Sequence, residues 1–149
     1  MRAMNISAFL AAVSGWASAQ PDVLAIALVG SYARDAAAEG SDVDLLILTS
    51  EVAKYINDRS WLSQFGEVTN SRVENYGKVT SLRTFYQDGL EVEYGLTTRD
   101  WAQIPMDAGS RRIVIDGMKI LFDPHRILSS VEREILLIEH NVDHRRLSS

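Results

Sequence analysis

Residues 27–48 read ALVGSYARDAAAEGSDVDLLIL, and this stretch holds the most informative pattern of the chain. One apolar run ends at Gly30-Ser31, and after a gap of ten residues Asp42-Val43-Asp44 opens a second apolar run. Short apolar runs bounded by turn residues are typical of buried strands. The stretch therefore predicts two core strands, at 23–29 and 42–48.

The segment between these strands is a candidate phosphate-binding element. Residues 32–38 are rich in alanine and predict a short helix that begins near Ser31. Glycine lets backbone come close to an anion, and a helix N-terminus presents unpaired N–H groups to it. Gly30 and Ser31 are therefore candidates for binding a phosphate chain, although a Gly-Ser pair alone ends many strands that bind nothing.

The two aspartates are a candidate metal site. Residues i and i+2 of a strand point to the same side, about 6.5 Å apart along the backbone, so the carboxylates of Asp42 and Asp44 can converge on metal ions. Oxygen ligands suit a hard cation such as magnesium. Two aspartates in this spacing are, by themselves, more often a solvated strand end. The complete pattern of an apolar strand, Gly-Ser, a short helix and then Asp-apolar-Asp at the start of a second apolar strand is a more specific signal of a metal site.

The rest of the chain predicts further helices and strands around this pair. Helices are expected at 6–16, 51–57, 107–115 and 128–138, and strands at 90–96, at 118–122 and twice within 66–86. Asp88-Gly89 predicts a hairpin turn. The expected fold class is α/β (α+β), a mixed β-sheet flanked by helices, in one domain over residues 1–149 with a polar, frayed tail from about residue 141.

Composition limits the possible functions. The chain has no cysteine, which excludes disulfides and thiolate metal sites, and its net charge of −5 argues against binding long nucleic acid. No apolar run approaches the roughly 20 residues of a membrane-spanning helix. Ala17-Ser18-Ala19 resembles a weak signal-peptide cleavage site, but the helical spacing of the apolar residues before it favours a packed first helix. We therefore expect a cytoplasmic protein.

Basic and aromatic residues provide weaker candidates. Five basic residues could neutralise phosphate, but each could equally be an ordinary exposed surface residue. They are Arg34, Lys54, Arg72, Lys78 and Arg83. The tryptophans are expected in the core rather than as platforms for base stacking: Trp16, Trp61 and Trp101.

The combined pattern resembles the polymerase-beta-like nucleotidyltransferase superfamily, whose motif is an apolar residue, Gly, Ser or Gly, a gap of about ten residues, and Asp-apolar-Asp or Glu. Residues 61–66 (WLSQFG) and 117–123 (GMKILFD) are similar to aminoglycoside-type and related small adenylyltransferases, so that the resemblance covers about residues 5–125. It implies transfer of a nucleoside monophosphate, AMP from ATP, to a hydroxyl of a small molecule or protein, with release of pyrophosphate.

The resemblance also implies a third carboxylate from a later strand. Glu91 and Glu93 both fit and face the same way, and the setting Val92-Glu93-Tyr94 favours Glu93. Asp42, Asp44 and Glu93 are then expected to hold two Mg²⁺ ions, for which Mn²⁺ could substitute. The family's phosphate-binding residues correspond to Gly30 and Ser31.

A noncatalytic function is the alternative. Related enzymes carry a further helical domain that helps to hold the acceptor, and residues 1–149 are too few to include one. Superfamily members of this minimal size resemble the nucleotidyltransferase half of toxin–antitoxin pairs, which implies an antitoxin-like regulator that binds a helical partner protein. The apolar helix at 128–138 likewise predicts either a homodimer or a helical partner.

Overall fold

The structure, a computed structural model, describes residues 5–38 and 40–148, with side chains through residue 142. Its α-helices are α1 (Ile6–Ser18), α2 (Gly30–Ala33), α3 (Val52–Asn57), α4 (Ala108–Asp116) and α5 (Ile127–Ser148). Its strands are β1 (Val23–Val29), β2 (Val43–Thr49), β3 (Val68–Tyr76), β4 (Val79–Tyr86), β5 (Glu91–Thr97) and β6 (Lys119–Phe122). Two 3₁₀ helices cover Ser60–Phe65 and Arg99–Ala102.

The strands form one mixed sheet in the order β3-β4-β5-β2-β1-β6. The β2–β5 pair is parallel, and the other neighbours are antiparallel. Asp88 and Gly89 form the turn of the β4–β5 hairpin, where the Gly89 N–H donates to the Tyr86 carbonyl at 3.0 Å. The predicted fold class, a mixed sheet flanked by helices, is confirmed.

Apolar side chains cover both faces of the central strands. On one face, α1, α3 and the first 3₁₀ helix bury a cluster that includes Phe9, Leu45, Ile47 and Tyr94. On the other face, α4, α5 and the second 3₁₀ helix pack around Leu46 and Leu48. This alternation along β2 is that of a strand buried on both sides. Asp44 shares its side of β2 with Leu46, so it faces the α4 side of the sheet.

The predicted helix over residues 32–38 was wrong in extent, because α2 has only the four residues Gly30–Ala33. Asp35 adopts a left-handed φ of 55°, and the Ala36 N–H donates to the Ser31 carbonyl at 2.9 Å. This backbone arrangement ends a helix and outweighs the helical propensity of the alanines that follow.

The predicted end of the last helix near residue 138 was also wrong. Helix α5 continues to Ser148, through the region that was expected to be a polar, frayed tail. Along the first part of α5, Leu128, Val131 and Ile135 are buried against the sheet, while Leu136 and Leu137 are exposed. Across the described ranges, we find no helix with the length and apolar character needed to cross a membrane.

Candidate active site

Strand register brings the predicted acidic residues together. Asp44 lies opposite Glu93 in the β2–β5 pair and opposite Val29 in the β1–β2 pair, and Asp42 directly precedes β2. One carboxylate oxygen from each of Asp42, Asp44 and Glu93 lies within 4.8 Å of the other two. We call these three residues the carboxylate triad. Three oxygen ligands at this spacing can surround a divalent cation.

The partly buried carboxylate of Glu93 has one oxygen that a bound cation would satisfy. Its Oε2 accepts a hydrogen bond from Arg83 Nη2 at 2.9 Å. Its Oε1 is buried and has no hydrogen-bond donor among the described residues. A buried carboxylate oxygen without a donor is unfavourable, and a bound cation would satisfy it. The residues present therefore fit the magnesium or manganese ions that the resemblance implies.

The electrostatics of the triad also favour a cation. Burial, together with the negative charges of Asp42 and Glu93, raises the pKa of Asp44 to about 7. Burial raises the pKa of Glu93 as well, against the opposing effect of the Arg83 charge. Both shifts mean that closely spaced carboxylates resist ionising together, so added positive charge stabilises the ionised triad.

Gly30 allows Asp44 to occupy its position. Gly30 has a φ of 72°, and a Cβ built on it would lie 2.2 Å from Asp44 Oδ2. The backbone at the start of α2 therefore touches the carboxylate, which only glycine permits. Gly30 therefore lies at the edge of the triad, and Ser31 follows it in the first turn of α2. Their role remains a prediction.

The other candidate for the third acid, Glu91, has a different setting. It lies two residues before Glu93 on β5, and the two side chains face the same side, as predicted. Its Oε2 accepts a hydrogen bond from Arg83 Nη1 at 2.5 Å, and it does not belong to the triad. The geometry therefore favours Glu93 as the third ligand.

A cleft of about 780 Å³ adjoins the triad on the α4 side of the sheet. Gly30, Asp44 and Glu93 line it together with residues of β4, β5, α4 and the second 3₁₀ helix, including Val79, Ser81, Gly95, Trp101, Ser110 and Ile113. Trp101 is buried, as predicted for the tryptophans, and its Nε1 has no hydrogen-bond acceptor among the described residues. The cleft has the size and mixed lining of a small-molecule site.

Gly95 is a residue of this cleft whose sequence signal was missed. It lies inside β5, between the buried residues Tyr94 and Leu96, and a glycine within a strand often marks a close approach of backbone or ligand. A Cβ there would lie 3.0 Å from Val79 Cγ1 and 3.2 Å from the Leu45 carbonyl oxygen. The absence of a side chain at Gly95 helps to keep the floor of the cleft open.

The candidate basic residues fall into separate environments. Arg34 and Lys78 line the cleft, and Lys78 Nζ lies 3.8 Å from a carboxylate oxygen of Asp107 at the start of α4. Lys54 pairs with Asp22 at 2.6 Å, just before β1 and therefore at the end of that strand remote from the triad. Arg34 and Lys78 therefore lie where they could contact a ligand in the cleft, whereas Lys54 does not.

Arg83 lies against the triad itself. Its guanidinium forms ion pairs with Asp42 at 3.4 Å, Glu74 at 2.9 Å, Glu91 at 2.5 Å and Glu93 at 2.9 Å. Hydrogen bonding with Glu74 is the largest of the causes that raise the pKa of Arg83. From the sequence, Arg83 was only a weak phosphate-binding candidate, and these contacts were not anticipated.

Comparison with known proteins agrees with this geometry. The protein family described as "Nucleotidyltransferase domain" matches residues 13–108, a range that includes the triad, Gly30 and Ser31. A comparison with curated proteins gave no significant match.

Solved structures are similar to this chain at low sequence identity. An aminoglycoside 6-adenyltransferase from Bacillus subtilis has a TM-score of 0.54 and 15% identity, over 66% of this chain and 37% of that chain. The polymerase core of TRAMP, an RNA surveillance complex, has a TM-score of 0.45 and 17% identity, over 74% of this chain and 38% of its own. A cytoplasmic RNA terminal U-transferase has a TM-score of 0.45 and 13% identity, over 75% and 35%. The chain thus spans just over a third of each of these proteins.

Proposed function

The chain belongs to the nucleotidyltransferase domain family, and from this premise we propose that it is an active, cytoplasmic adenylyltransferase. It transfers AMP from ATP to a hydroxyl of a small molecule or protein and releases pyrophosphate. The observation that carries the proposal is the carboxylate triad, with ligand oxygens within 4.8 Å of one another and a buried Glu93 oxygen that has no donor among the described residues.

In this proposal, Asp42, Asp44 and Glu93 hold two divalent ions, Mg²⁺ or Mn²⁺. Bound divalent ions supply positive charge that neutralises the triphosphate and lowers the pKa of an attacking hydroxyl. The acceptor oxygen forms a bond to the α-phosphorus, the bond between that phosphorus and the oxygen bridging to the β-phosphate breaks, and pyrophosphate leaves. The hydroxyl proton is released, and no covalent enzyme intermediate is required.

The remaining residues of the site orient the nucleotide. Gly30 and Ser31 bind its phosphates beside Asp44, and Arg34 adds positive charge at the same end of the cleft. The apolar surface of the cleft, which includes Val79 and Trp101, takes the nucleoside. A nucleoside enclosed between the sheet and α4 would hold the α-phosphorus next to the triad. Holding reacting groups in place in this way accounts for much of the rate enhancement of such a transfer.

A label-transfer assay tests the proposal. Purified protein is incubated with each α-phosphate-labelled NTP, with Mg²⁺ or Mn²⁺, and with cell extract as the source of acceptor. We expect label from ATP to appear on an acceptor with wild-type protein and to be lost by at least about a hundredfold in Asp42→Asn and Asp44→Asn, which remove charge with little change of shape. Transfer retained by either folded variant would refute the assignment.

The alternative function is a noncatalytic, antitoxin-like regulator that binds a helical partner protein. The observation that favours it is an exposed apolar run on α5, where Leu136, Leu137 and Ile138 are 46%, 53% and 36% exposed. Such a run is a candidate contact surface. This alternative would be supported if wild-type protein transferred no nucleotide and Asp44→Asn bound a partner protein as well as wild type does.

A further inference from the structure

Arg83 connects the carboxylate triad to two acids outside it. Its Nη1 and Nη2 groups contact Asp42 and Glu93, which belong to the triad. Its Nη1 and Nε groups also donate to Glu91 and Glu74, which do not. The side chain is 19% exposed, so solvent screens these interactions less than those of a surface ion pair. The Arg83 guanidinium therefore contacts two candidate metal ligands, Asp42 and Glu93, and is also held by two acids outside the triad.

We infer that Arg83 is a resident counter-cation that competes with divalent metal for Asp42 and Glu93, while Glu74 and Glu91 hold its guanidinium beside the site when metal binds. Arg83 is thus a positioning residue that sets the metal affinity of the triad. This inference rests on the proposed function in one respect, namely that the triad binds metal.

The competition follows from charge and geometry. Arginine stays protonated in proteins, so a metal ion entering the triad meets a fixed positive charge a few ångströms away. The hydrogen bonds of Arg83 also occupy lone pairs on oxygens of Asp42 and Glu93. Both effects weaken metal binding relative to the same triad without Arg83.

The contact distances also indicate which contact of the Arg83 guanidinium a metal ion would displace most easily. Its contact with Asp42, at 3.4 Å, is the longest of the four, whereas those with Glu91 and Glu74 are 2.5 Å and 2.9 Å. Glu93 binds Arg83 through Oε2 and keeps Oε1 without a donor among the described residues. A cation can therefore approach Oε1 and Asp42 while Arg83 remains held by Glu74 and Glu91.

Titration with Mn²⁺ in the absence of nucleotide tests the inference through binding rather than activity. Isothermal calorimetry would compare wild type, Arg83→Gln and the control Lys54→Gln. Lys54 pairs with Asp22 at 2.6 Å, at the end of β1 remote from the triad, so its substitution removes one positive charge without disturbing Arg83 or its anchors. We expect Arg83→Gln to bind Mn²⁺ roughly tenfold more tightly than wild type, and Lys54→Gln to stay within about twofold of it.

The role of Glu74 is tested by a double-mutant cycle. Glu74→Gln should weaken Mn²⁺ binding in the wild-type background, because Arg83 then interacts more strongly with the triad carboxylates. The same change should have little effect in the Arg83→Gln background. Equal weakening in both backgrounds would mean that Glu74 acts only through its own charge, and would overturn its assignment as an anchor.

Failure of this inference and failure of the proposed function give different results. Unchanged or weaker Mn²⁺ binding by folded Arg83→Gln, with clear binding by wild type, overturns the inference alone. If wild type does not bind Mn²⁺, or if Asp44→Asn binds it as tightly as wild type, the triad is not a metal site and the proposed function fails as well. If circular dichroism shows that Arg83→Gln does not fold, Arg83→Lys replaces it. Its ammonium can bridge fewer carboxylates, so we expect roughly threefold tighter binding, and unchanged affinity overturns the inference.

Discussion

At the scale of single residues, Gly30 gives a sharp test because it touches the triad without supplying a ligand. Gly30→Ala forces a side chain to a φ of 72° and to within 2.2 Å of Asp44 Oδ2. We expect a loss of about 1–3 kcal/mol in the free energy of unfolding and a large loss of transfer activity, because Asp44 must move. Urea denaturation and the label-transfer assay measure the two effects.

The matched control for this change is Gly15→Ala. Gly15 lies within α1, and a Cβ added there would meet no atom within 4 Å. Alanine should therefore stabilise the protein by about 0.5–1 kcal/mol and leave transfer unchanged. If Gly30→Ala behaved like Gly15→Ala in both measurements, the contact between α2 and Asp44 would have no functional importance.

Glu91→Gln and Glu93→Gln distinguish the two candidates for the third carboxylate. Both substitutions remove one charge from the same face of β5, but only Glu93 has an oxygen within the triad. We expect Glu93→Gln to lower the rate of transfer by at least about a hundredfold and Glu91→Gln by less than about tenfold. Steady-state rates at saturating ATP measure this difference. The reverse order would place the ligand at Glu91.

The residues of the site differ in how far sequence could predict them. Gly30, Asp42 and Asp44 follow one another in a local pattern with a direct physical meaning. Alternation along a strand cannot separate Glu91 from Glu93, because both lie on one face, and only the register of Asp44 with Glu93 does so. Asp88-Gly89 predicts that β4 pairs with β5, but it does not specify the register that places Arg83 opposite Glu93, so the contacts of Arg83 could not be predicted from the sequence.

At the scale of elements, the buried tyrosine pair joins β4 and β5 to the first 3₁₀ helix. The Tyr86 hydroxyl donates to the Leu62 carbonyl at 2.9 Å and lies 2.7 Å from the Tyr94 hydroxyl, which therefore donates to it. We expect Tyr94→Phe to lower the free energy of unfolding by about 1–2 kcal/mol, because the Tyr86 oxygen loses a buried donor. Tyr76→Phe removes a hydrogen bond to Glu74 at 3.1 Å, but this bond is exposed to solvent, so the free energy of unfolding should change by less than about 0.5 kcal/mol.

The same pair predicts a dependence of stability on alkaline pH. Burial raises the pKa of Tyr86 to about 12, above the value of about 10 in an unfolded chain. Folding thus favours the neutral phenol, so this contribution is complete below pH 10 and is lost as the pH rises towards 12. Urea denaturation between about pH 9 and 12 should show a smaller decrease in the free energy of unfolding for Tyr86→Phe than for wild type, and an equal decrease would contradict the assignment.

Elements were predictable where a periodic pattern agreed with tertiary packing. The alternating and continuous apolar runs located the strands, and Asp88-Gly89 located the hairpin. The alanines after Gly30 predicted too long a helix, because Asp35 adopts a left-handed conformation that composition does not reveal. The polar residues after 141 predicted that the last helix ends early, whereas α5 continues as a helix to Ser148.

At the scale of the whole molecule, α5 raises the question of association. Its sequence predicts a helix too apolar to lie alone, and the structure buries only part of its apolar surface. Ile135 lies in the core of the chain itself, so its substitution would disturb folding and could not test an interface. The exposed residues are Leu136, Leu137 and Ile138, and we propose that a second copy of the chain covers them.

Leu137→Glu tests this proposal with little effect on folding, because the side chain is more than half exposed. Light scattering at micromolar concentration should give a mass near twice 16.6 kDa for wild type and near 16.6 kDa for Leu137→Glu. Ser130→Glu places the same charge on an exposed position of α5 and should remain dimeric. A wild-type protein that is monomeric over this range would exclude the homodimer and leave a different protein as the partner.

In the proposed site, Asp42, Asp44 and Glu93 bind the metal ions of a nucleotide whose phosphates contact Gly30 and Ser31. The most direct measurement is the anomalous scattering of Mn²⁺ in crystals grown with an ATP analogue that cannot be cleaved between its α- and β-phosphates. We predict anomalous peaks within about 2.0–2.4 Å of triad oxygens, triphosphate density at Gly30-Ser31 and the nucleoside in the cleft. Nucleotide bound elsewhere, or an ordered triad without Mn²⁺ at saturating concentrations of both ligands, would contradict the proposed site.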